Sequence, residues 1–151
     1  NLDYIHLFQV IDKISIDKGD SLEAFRRMCF NVFYGNKDDH GKNVSFIYDT
    51  DLKGYRLSPA YDITRTPYKR EHEMTVFGKG MPTENDIFAV AKYLKLLIED
   101  CTKTNAEILI NWKEVEHVSD SQTRNMMIAA YKKIFLFVSL MQIFITEGKS
   151  V

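Results

Sequence analysis

Apolar residues recur at helical spacing in two N-terminal segments of the chain. In residues 2–14 they stand three apart, which places them on one face of a helix: Ile5, Phe8, Ile11 and Ile14. Residues 22–33 repeat this pattern behind Asp20 and Ser21, either of which suits an N-cap. We therefore predict two helices.

The apolar period changes to two in the next segment. Val44, Phe46 and Tyr48 alternate with more polar or outward positions, which is typical of a half-buried strand. A turn-rich stretch over residues 49–54 follows, and residues 55–57 read as a returning strand before a proline. The pattern predicts a short β-hairpin.

Residues 64–82 form a polar stretch that contains two prolines and two glycines. Only residues 74–77 resemble a strand, so we expect a long loop with at most one further strand. We expect His72 to lie on this solvated loop and assign it no chemistry. Its basic residues suit either a solvated loop, which the interspersed acids favour, or contact with an anionic partner: Arg65, Lys69, Arg70 and Lys79.

Helical patterns dominate the rest of the chain. One helix is predicted from Glu84 to about Cys101 behind the cap Thr83, and others over residues 105–117 and 121–146. The sequence thus predicts a mainly α protein with a small β-hairpin, of the α+β class. We expect residues 1–151 to form a single domain with a helical bundle over residues 84–147.

Composition narrows the classes of function. The 151 residues are 45% hydrophobic and carry a net charge of −1, a poor match to a protein whose main task is to bind nucleic acid. The cysteines Cys29 and Cys101 show no ligand spacing and read as reduced thiols. The longest apolar run, residues 134–145, is shorter than the roughly 20 residues of a membrane span. We therefore expect a cytoplasmic protein with no membrane contact.

The densest polar cluster spans residues 35–43, between the second helix and the hairpin. A solvated turn is the simplest interpretation, but the spacing favours chemistry. Asp38 and Asn43 stand five residues apart, the D-x-x-x-x-N relation of a kinase catalytic loop, in which the Asp accepts a hydroxyl proton and the Asn holds magnesium. A hairpin returns its end close to its start, so Asp62 can converge with Asn43 on one ion.

Two linked motifs resemble those of HipA-like serine/threonine kinases, the toxin components of bacterial toxin–antitoxin pairs. The first is Gly35-Asn36-x-Asp38-x-His40-x-Lys42-Asn43, and the second is Leu57-x-Pro59-x-Tyr61-Asp62. Similar residues continue on both sides, at 25–31 and 74–80, so the resemblance covers about residues 20–100.

The resemblance implies a fold, a chemistry and a set of roles. The fold would be a protein-kinase-like C-lobe with a catalytic loop at 35–43 and a magnesium-binding hairpin at 44–62. Asp38 would be the catalytic base, Asn43 and Asp62 the Mg²⁺ ligands, and ATP the phosphate donor. His40 and Lys42 would brace the loop or neutralise phosphate charge. Asp39 is a second possible base, but Asp38 has the matching spacing.

The resemblance also implies partners. It suggests a protein substrate of the aminoacyl-tRNA synthetase class and a small DNA-binding, HipB-like antitoxin, although no residue selects either one. No glycine-rich phosphate loop and no strand lysine with a helix glutamate is recognisable, and the sequence begins at Asn1 rather than Met. We expect the nucleotide-covering N-terminal lobe to lie in another part of a longer protein or on another chain, and this segment to be weak or inactive without it.

Two other functions fit the same residues. One is a non-catalytic kinase-lobe module that binds an antitoxin or a target, against which the complete Asp38, Asn43 and Asp62 set counts. The other is a small-molecule phosphotransferase, whose kinase-like loop uses a similar Asp and Asn pair. The acceptor of the phosphate separates these functions from a protein kinase.

Overall fold

The computed structural model describes residues 1–95, together with residues 121, 122 and 125. This part of the chain is mixed α and β, and residues 121, 122 and 125 are helical. Its elements in chain order are helix α1 (Tyr4–Ile14), helix α2 (Asp20–Tyr34), a 3-10 turn (Gly41–Asn43), strands β1 (Phe46–Asp49) and β2 (Gly54–Leu57), and helix α3 (Glu84–Tyr93). The helices predicted at 105–117 and 121–146, apart from those three positions, lie outside the described residues.

Helix α1 begins with a reciprocal cap. The Asp3 carboxylate accepts a hydrogen bond from the Ile5 amide at 2.9 Å, and the Asp3 amide donates to His6 Nδ1 at 3.1 Å. The predicted apolar face is confirmed, since Tyr4, Phe8 and Ile11 are buried. The same Asp3 carboxylate also accepts bonds from Thr75 and Gly78, so the cap fixes the segment at residues 75–78 against α1.

The N-cap of helix α2 stands one residue before the first predicted cap. Gly19 is the N-cap, and Asp20 is already helical, so the prediction of Asp20 or Ser21 as the cap was wrong. The Asp20 carboxylate instead bonds to groups outside the helix. It accepts hydrogen bonds from the Ser15 hydroxyl and from the Leu57 amide of β2, the latter at 2.7 Å. This side chain therefore ties the helix to the hairpin.

Replacing Asp20 by alanine should destabilise the fold. Asp20 is only 7% exposed, and its loss leaves the Leu57 amide without its acceptor, which costs about 1–3 kcal/mol. Chemical denaturation of the wild type and the variant measures this difference. Asp12→Ala, which removes an exposed acid from α1, is the matched control and should change stability by less than about 0.5 kcal/mol. Equal effects of the two substitutions would contradict the bridging role of Asp20.

The predicted hairpin is confirmed as an antiparallel pair. Phe46 faces Leu57 and Asp49 faces Gly54 in the register. The hairpin is held against the N-terminal helices by main-chain contacts: the Ile16 amide donates to the Tyr55 carbonyl at 2.9 Å. The hairpin's position, and with it the position of the residues that follow β2, is thus set by α1 and α2.

Helix α3 completes the described fold. Thr83 is its N-cap as predicted, and the Thr83 amide donates to the Asp86 carboxylate at 2.7 Å. The helix ends at Tyr93, earlier than the predicted end near Cys101, and residues 96–101 lie outside the described part. The core joins α1, α2, the 74–76 segment and α3, with these buried residues: Tyr4, Phe8, Ile11, Ala24, Phe25, Met28, Cys29, Met74, Val76, Ile87, Val90 and Ala91.

The segment 64–82 contains no helix and no strand of a sheet, which agrees with the predicted loop. The strand-like residues 74–77 form only isolated bridges, Thr75 with Asp3 and Val76 with Lys79. The segment is nevertheless well anchored, because Thr66, His72, Met74 and Val76 are buried. Among the described residues, no helix is long and apolar enough to cross a membrane.

Candidate active site

The polar loop at residues 35–43 follows directly from the end of α2. Gly35 ends that helix with a positive φ of 83°, a conformation that favours glycine. The structure then separates two adjacent acids. Asp39 is 2% exposed and points into the fold, whereas the side chain of Asp38 is 33% exposed. The Asp38 carboxylate is thus the one that an external hydroxyl can reach.

Asp39 is the acceptor at the centre of a buried polar network. Its carboxylate accepts hydrogen bonds from the Tyr4 hydroxyl at 2.6 Å, from His72 Nδ1 at 2.8 Å and from the Glu73 amide at 3.0 Å. Burial and the neighbouring Asp39 carboxylate raise the pKa of Tyr4 well above its usual value, so the phenol remains a donor. With its oxygens committed to these donors, Asp39 is suited to hold the loop and not to act as the base.

His72 does not lie on a solvated loop, so that prediction was wrong. It is 6% exposed, and its Nδ1 donates to Asp39, because an ionised carboxylate can only accept. The surrounding sequence, Arg70-Glu71-His72-Glu73, is charged and gives no sign of burial. His72 can be buried because the Asp39 carboxylate forms a hydrogen bond with its imidazole nitrogen Nδ1.

The network continues into α2 through amide side chains. Asn31 Nδ2 donates to the Tyr4 hydroxyl, and Asn36 Nδ2 donates to Asn31 Oδ1, each at 3.0 Å. Sequence reasoning gave no role to Tyr4, which lies on an apolar-patterned helix far from the loop in sequence, or to Asn31, in the last turn of α2. Their polar atoms fix the start of the loop at Asn36 to α2.

Asp38 meets a lysine from the following segment. Lys69 Nζ lies 2.5 Å from Asp38 Oδ1 and 2.6 Å from Glu73 Oε1. The hydrogen bond from the Lys69 ammonium lowers the pKa of Asp38, and the Asp38 and Glu73 carboxylates raise the pKa of Lys69 in return. The carboxylate of Asp38 is therefore ionised and able to accept a hydrogen bond.

Asn43 is oriented by Asp38. Its Nδ2 donates to the Asp38 main-chain carbonyl at 3.0 Å. A carbonyl can only accept, so this bond uses the amide nitrogen and leaves Oδ1 as the group available to a cation. The 3-10 turn at Gly41–Asn43 makes the bond possible, because it curls the chain back toward Asp38.

Asp62, which follows the hairpin, lies at the same cleft as Asn43. Both residues line one cleft, together with Asn36 and His40. Asp62 is exposed and has a positive φ of 54°, a left-handed conformation that a non-glycine residue adopts at a cost of about 1–3 kcal/mol. Strained residues of this kind cluster at functional sites.

The cleft offers oxygen donors that suit Mg²⁺. Asn43 Oδ1 and the Asp62 carboxylate are hard oxygen ligands, and magnesium usually takes one or two protein ligands with phosphates and waters for the rest. In the part of the chain described, no cluster of three or more His, Cys, Asp or Glu side chains could hold a metal ion. Asn43 and Asp62 are the residues at this cleft that could serve as ligands of such an ion.

His40 and Lys42 occupy different positions. His40 lines the cleft, and its Nδ1 is buried without a hydrogen-bond partner, as is Asn36 Oδ1. Lys42 is exposed, and its main-chain carbonyl accepts a bond from the Tyr61 hydroxyl at 2.9 Å, which ties the loop to the residue before Asp62. The Lys42 side chain is not part of the cleft lining.

Comparison with protein families gives one match. The family described as the HipA-like C-terminal domain matches residues 1–130, which include every element and every site residue described above. No solved structure matches the chain.

Two curated relatives match shorter segments. The protein named Putative kinase Y4mE, from Sinorhizobium fredii (strain NBRC 101917 / NGR234), is 35% identical over 60 residues, which are 39% of this chain and 14% of the relative. Putative kinase Y4dM, from the same strain, is 45% identical over 56 residues, 36% of this chain and 13% of the relative. The matched segments thus span about one seventh of the length of these relatives.

Proposed function

The chain belongs to the HipA-like C-terminal domain family, and from that premise we propose that it is the C-lobe of a kinase that transfers the γ-phosphoryl group of ATP to a Ser or Thr hydroxyl. The two relatives described as kinases support a phosphotransferase. The fold would be of the protein-kinase-like C-lobe type.

One observation carries the proposal. The Asn43 amide is bonded to the Asp38 carbonyl, and Asn43 shares a cleft with Asp62. This bond fixes the main chain of residue 38 against one of the two proposed oxygen ligands, and the Asp38 carboxylate, which is not part of the cleft lining, is one third exposed. Phosphoryl transfer needs such a carboxylate within reach of the metal ligands. A solvated turn would explain the polarity of residues 35–43, but it gives no reason for Asn43 to turn back onto Asp38.

Each residue has a distinct task in the proposed site. Asn43 and Asp62 would hold Mg²⁺, which would supply positive charge to neutralise the phosphates of the nucleotide. Asp38 orients the acceptor hydroxyl and accepts its proton as the oxygen attacks. His40, with an unpartnered ring nitrogen at the cleft, contacts the nucleotide phosphates. Lys42, on the exposed face of the loop, contributes positive charge at the entrance.

The setting of the reaction is also part of the proposal. We place the protein in the cytoplasm, with a protein substrate, for which an aminoacyl-tRNA synthetase is one candidate class. A DNA-binding HipB-like antitoxin would be its partner, and a nucleotide-covering N-terminal lobe in the same or another chain would complete the site. Nothing in the described residues selects the substrate or the antitoxin.

Transfer of labelled phosphate tests the function. The full-length natural protein is incubated with γ-labelled ATP and a bacterial protein extract, with Mg²⁺ or with a chelator. We expect label on protein Ser or Thr only when Mg²⁺ is present. Label on a small molecule would indicate a metabolite phosphotransferase, and ATP binding without any transfer would indicate a sequestering module.

Replacing Asp62 by asparagine should weaken Mg²⁺-dependent ATP binding by at least about tenfold, or about 1.4 kcal/mol. Asparagine tolerates the left-handed backbone at this position, so the substitution removes the charge without adding strain. Calorimetric titration of the full-length protein with ATP, with and without Mg²⁺, measures the change. Asp51→Asn, in the exposed hairpin turn, is the control. An unchanged metal dependence in the Asp62 variant would remove Asp62 from the ligand role.

A further inference from the structure

The loop at residues 35–43 leaves open which cation faces the transferred phosphate. The two lysines of the loop do not contact the Asp38 carboxylate: Lys37 Nζ donates to the main-chain carbonyls of Lys69 and Arg70, and the Lys42 side chain is exposed. Neither Lys42 nor Lys69 is part of the cleft lining. The ammonium that lies against the Asp38 carboxylate comes instead from the segment 64–82, as Lys69.

The segment that carries Lys69 is anchored to the loop on both sides. Before it, the Thr66 amide donates to the Gly35 carbonyl at 3.2 Å, and the Thr66 hydroxyl accepts a bond from the Lys37 amide at 2.8 Å. After it, the Glu73 amide donates to the Lys37 carbonyl at 3.1 Å and to the Asp39 carboxylate at 3.0 Å. Residues 66–73 are thus clamped to the loop that holds the base.

Lys69 itself is held between these anchors. Its amide donates to the Thr66 carbonyl at 3.1 Å, and its carbonyl accepts the bond from Lys37 Nζ at 3.2 Å. Its side chain is 25% exposed, less than is usual for a surface lysine. Two main-chain hydrogen bonds and the Asp38 and Glu73 carboxylates thus hold this lysine in place next to the base.

The Lys69 ammonium has one more N–H donor than it has carboxylate partners, and this donor could bind a phosphate oxygen. A lysine ammonium has three N–H donors. Asp38 and Glu73 accept two of them in the structure. The third donor belongs to a group fixed next to the base, where the attacked phosphoryl group must lie if Asp38 is to hold the acceptor hydroxyl.

We propose that Lys69 is a second catalytic residue, whose ammonium contacts an oxygen of the transferred phosphoryl group while it orients Asp38. This inference rests on the proposed function. In the step, the acceptor oxygen forms a bond to the γ-phosphorus, the bond from the γ-phosphorus to the bridging oxygen breaks, and ADP leaves with the electron pair. The hydroxyl proton passes to Asp38, and Lys69 keeps its protons and stabilises the charge on the phosphoryl oxygens.

The same contact could instead be a lock, in which Lys69 blocks the base until it is released. The two roles predict opposite signs. Removal of a catalytic ammonium slows transfer, whereas removal of a lock leaves transfer unchanged or accelerates it. The sign of the change therefore separates them.

The test compares Lys69→Met, Lys69→Arg and a control in the full-length protein. The control is Lys79→Met, which removes another lysine of the segment 64–82, one that is paired with Asp86 and not with the site. We expect Lys69→Met to lower kcat by about 100-fold with less than about a threefold change in KM for ATP. Lys69→Arg should recover at least about a tenth of the rate, because it restores the positive charge, and Lys79→Met should keep the wild-type rate.

Three results would overturn the inference. A Lys69→Met rate at or above that of the wild type would make Lys69 a lock or a bystander, while an inactive Asp38→Asn variant beside it would leave the proposed function intact. A loss in Lys69→Met that Lys69→Arg does not restore, together with a lower melting temperature, would show a structural role alone. A wild-type protein that transfers no phosphate would overturn the proposed function and this inference together.

Discussion

Replacement of Asp39 by alanine is expected to lower the free energy of unfolding by more than about 3 kcal/mol. The Asp39 carboxylate is the acceptor for Tyr4, for His72 and for the Glu73 amide. Tyr4 and His72 are 1% and 6% exposed, and both lose their carboxylate acceptor, whereas the Glu73 amide keeps its bond to the Lys37 carbonyl. Each buried donor left without a partner costs about 1–3 kcal/mol, and effects this large arise mainly from such broken networks.

Denaturant unfolding of the wild type, Asp39→Ala and the surface control Asp12→Ala measures this effect. A double-mutant cycle with Tyr4→Phe sharpens it, because removal of the Tyr4 hydroxyl should cost less once its acceptor is gone, with a coupling energy of about 0.5–3 kcal/mol. Additive effects of the two substitutions, or a stability loss no greater than that of Asp12→Ala, would show that Asp39 does not organise the loop.

Asp38→Asn should reduce the rate of phosphate transfer by about 10²-fold to 10⁴-fold, the usual contribution of a general base. The substitution keeps the size of the side chain and removes its basicity. Asn43 bonds to the main-chain carbonyl of residue 38, so its position survives the change. ATP affinity should therefore stay within about twofold, and stability should change little, because the Asp38 side chain is one third exposed.

The readouts for Asp38→Asn are kcat from steady-state transfer and the Kd for MgATP from calorimetry. Asp51→Asn in the hairpin turn is again the control and should match the wild type in both. Loss of ATP binding together with loss of transfer would show that Asp38 binds the nucleotide and does not act as the base. Full transfer activity would remove it from the site.

Local patterns predicted the described part of the fold well. The apolar spacing of residues 2–14 and the alternation of residues 44–48 reflect burial of one face, and this depends only on neighbouring residues. The N-cap of α2 was missed because Asp20 is engaged by Leu57, a residue 37 positions away in sequence. No local pattern contains that contact.

In the candidate site, too, contacts within a short stretch of sequence were predictable and contacts between distant segments were not. The Asn43 side chain bonds to the main chain of residue 38, and Asn43 and Asp62 line one cleft, which agrees with the spacing and hairpin arguments, while the roles of these residues stay predictions. The burial of His72 on Asp39 and the approach of Lys69 to Asp38 were not predictable. They depend on how the irregular segment 64–82 folds back onto the loop, and no periodicity encodes that path.

The central proposal is that Asp38 is the base in the transfer of phosphate from ATP to a hydroxyl group, with Asn43 and Asp62 as the Mg²⁺ ligands. Its most direct test is single-turnover transfer from γ-labelled MgATP by the full-length protein, with wild type and Asp38→Asn compared at a saturating nucleotide concentration and the acceptor identified by mass spectrometry. The account predicts phosphoserine or phosphothreonine with the wild type and at least about a 100-fold slower reaction with the variant. Equal rates for the two proteins, or phosphate that appears only on small molecules, would contradict it.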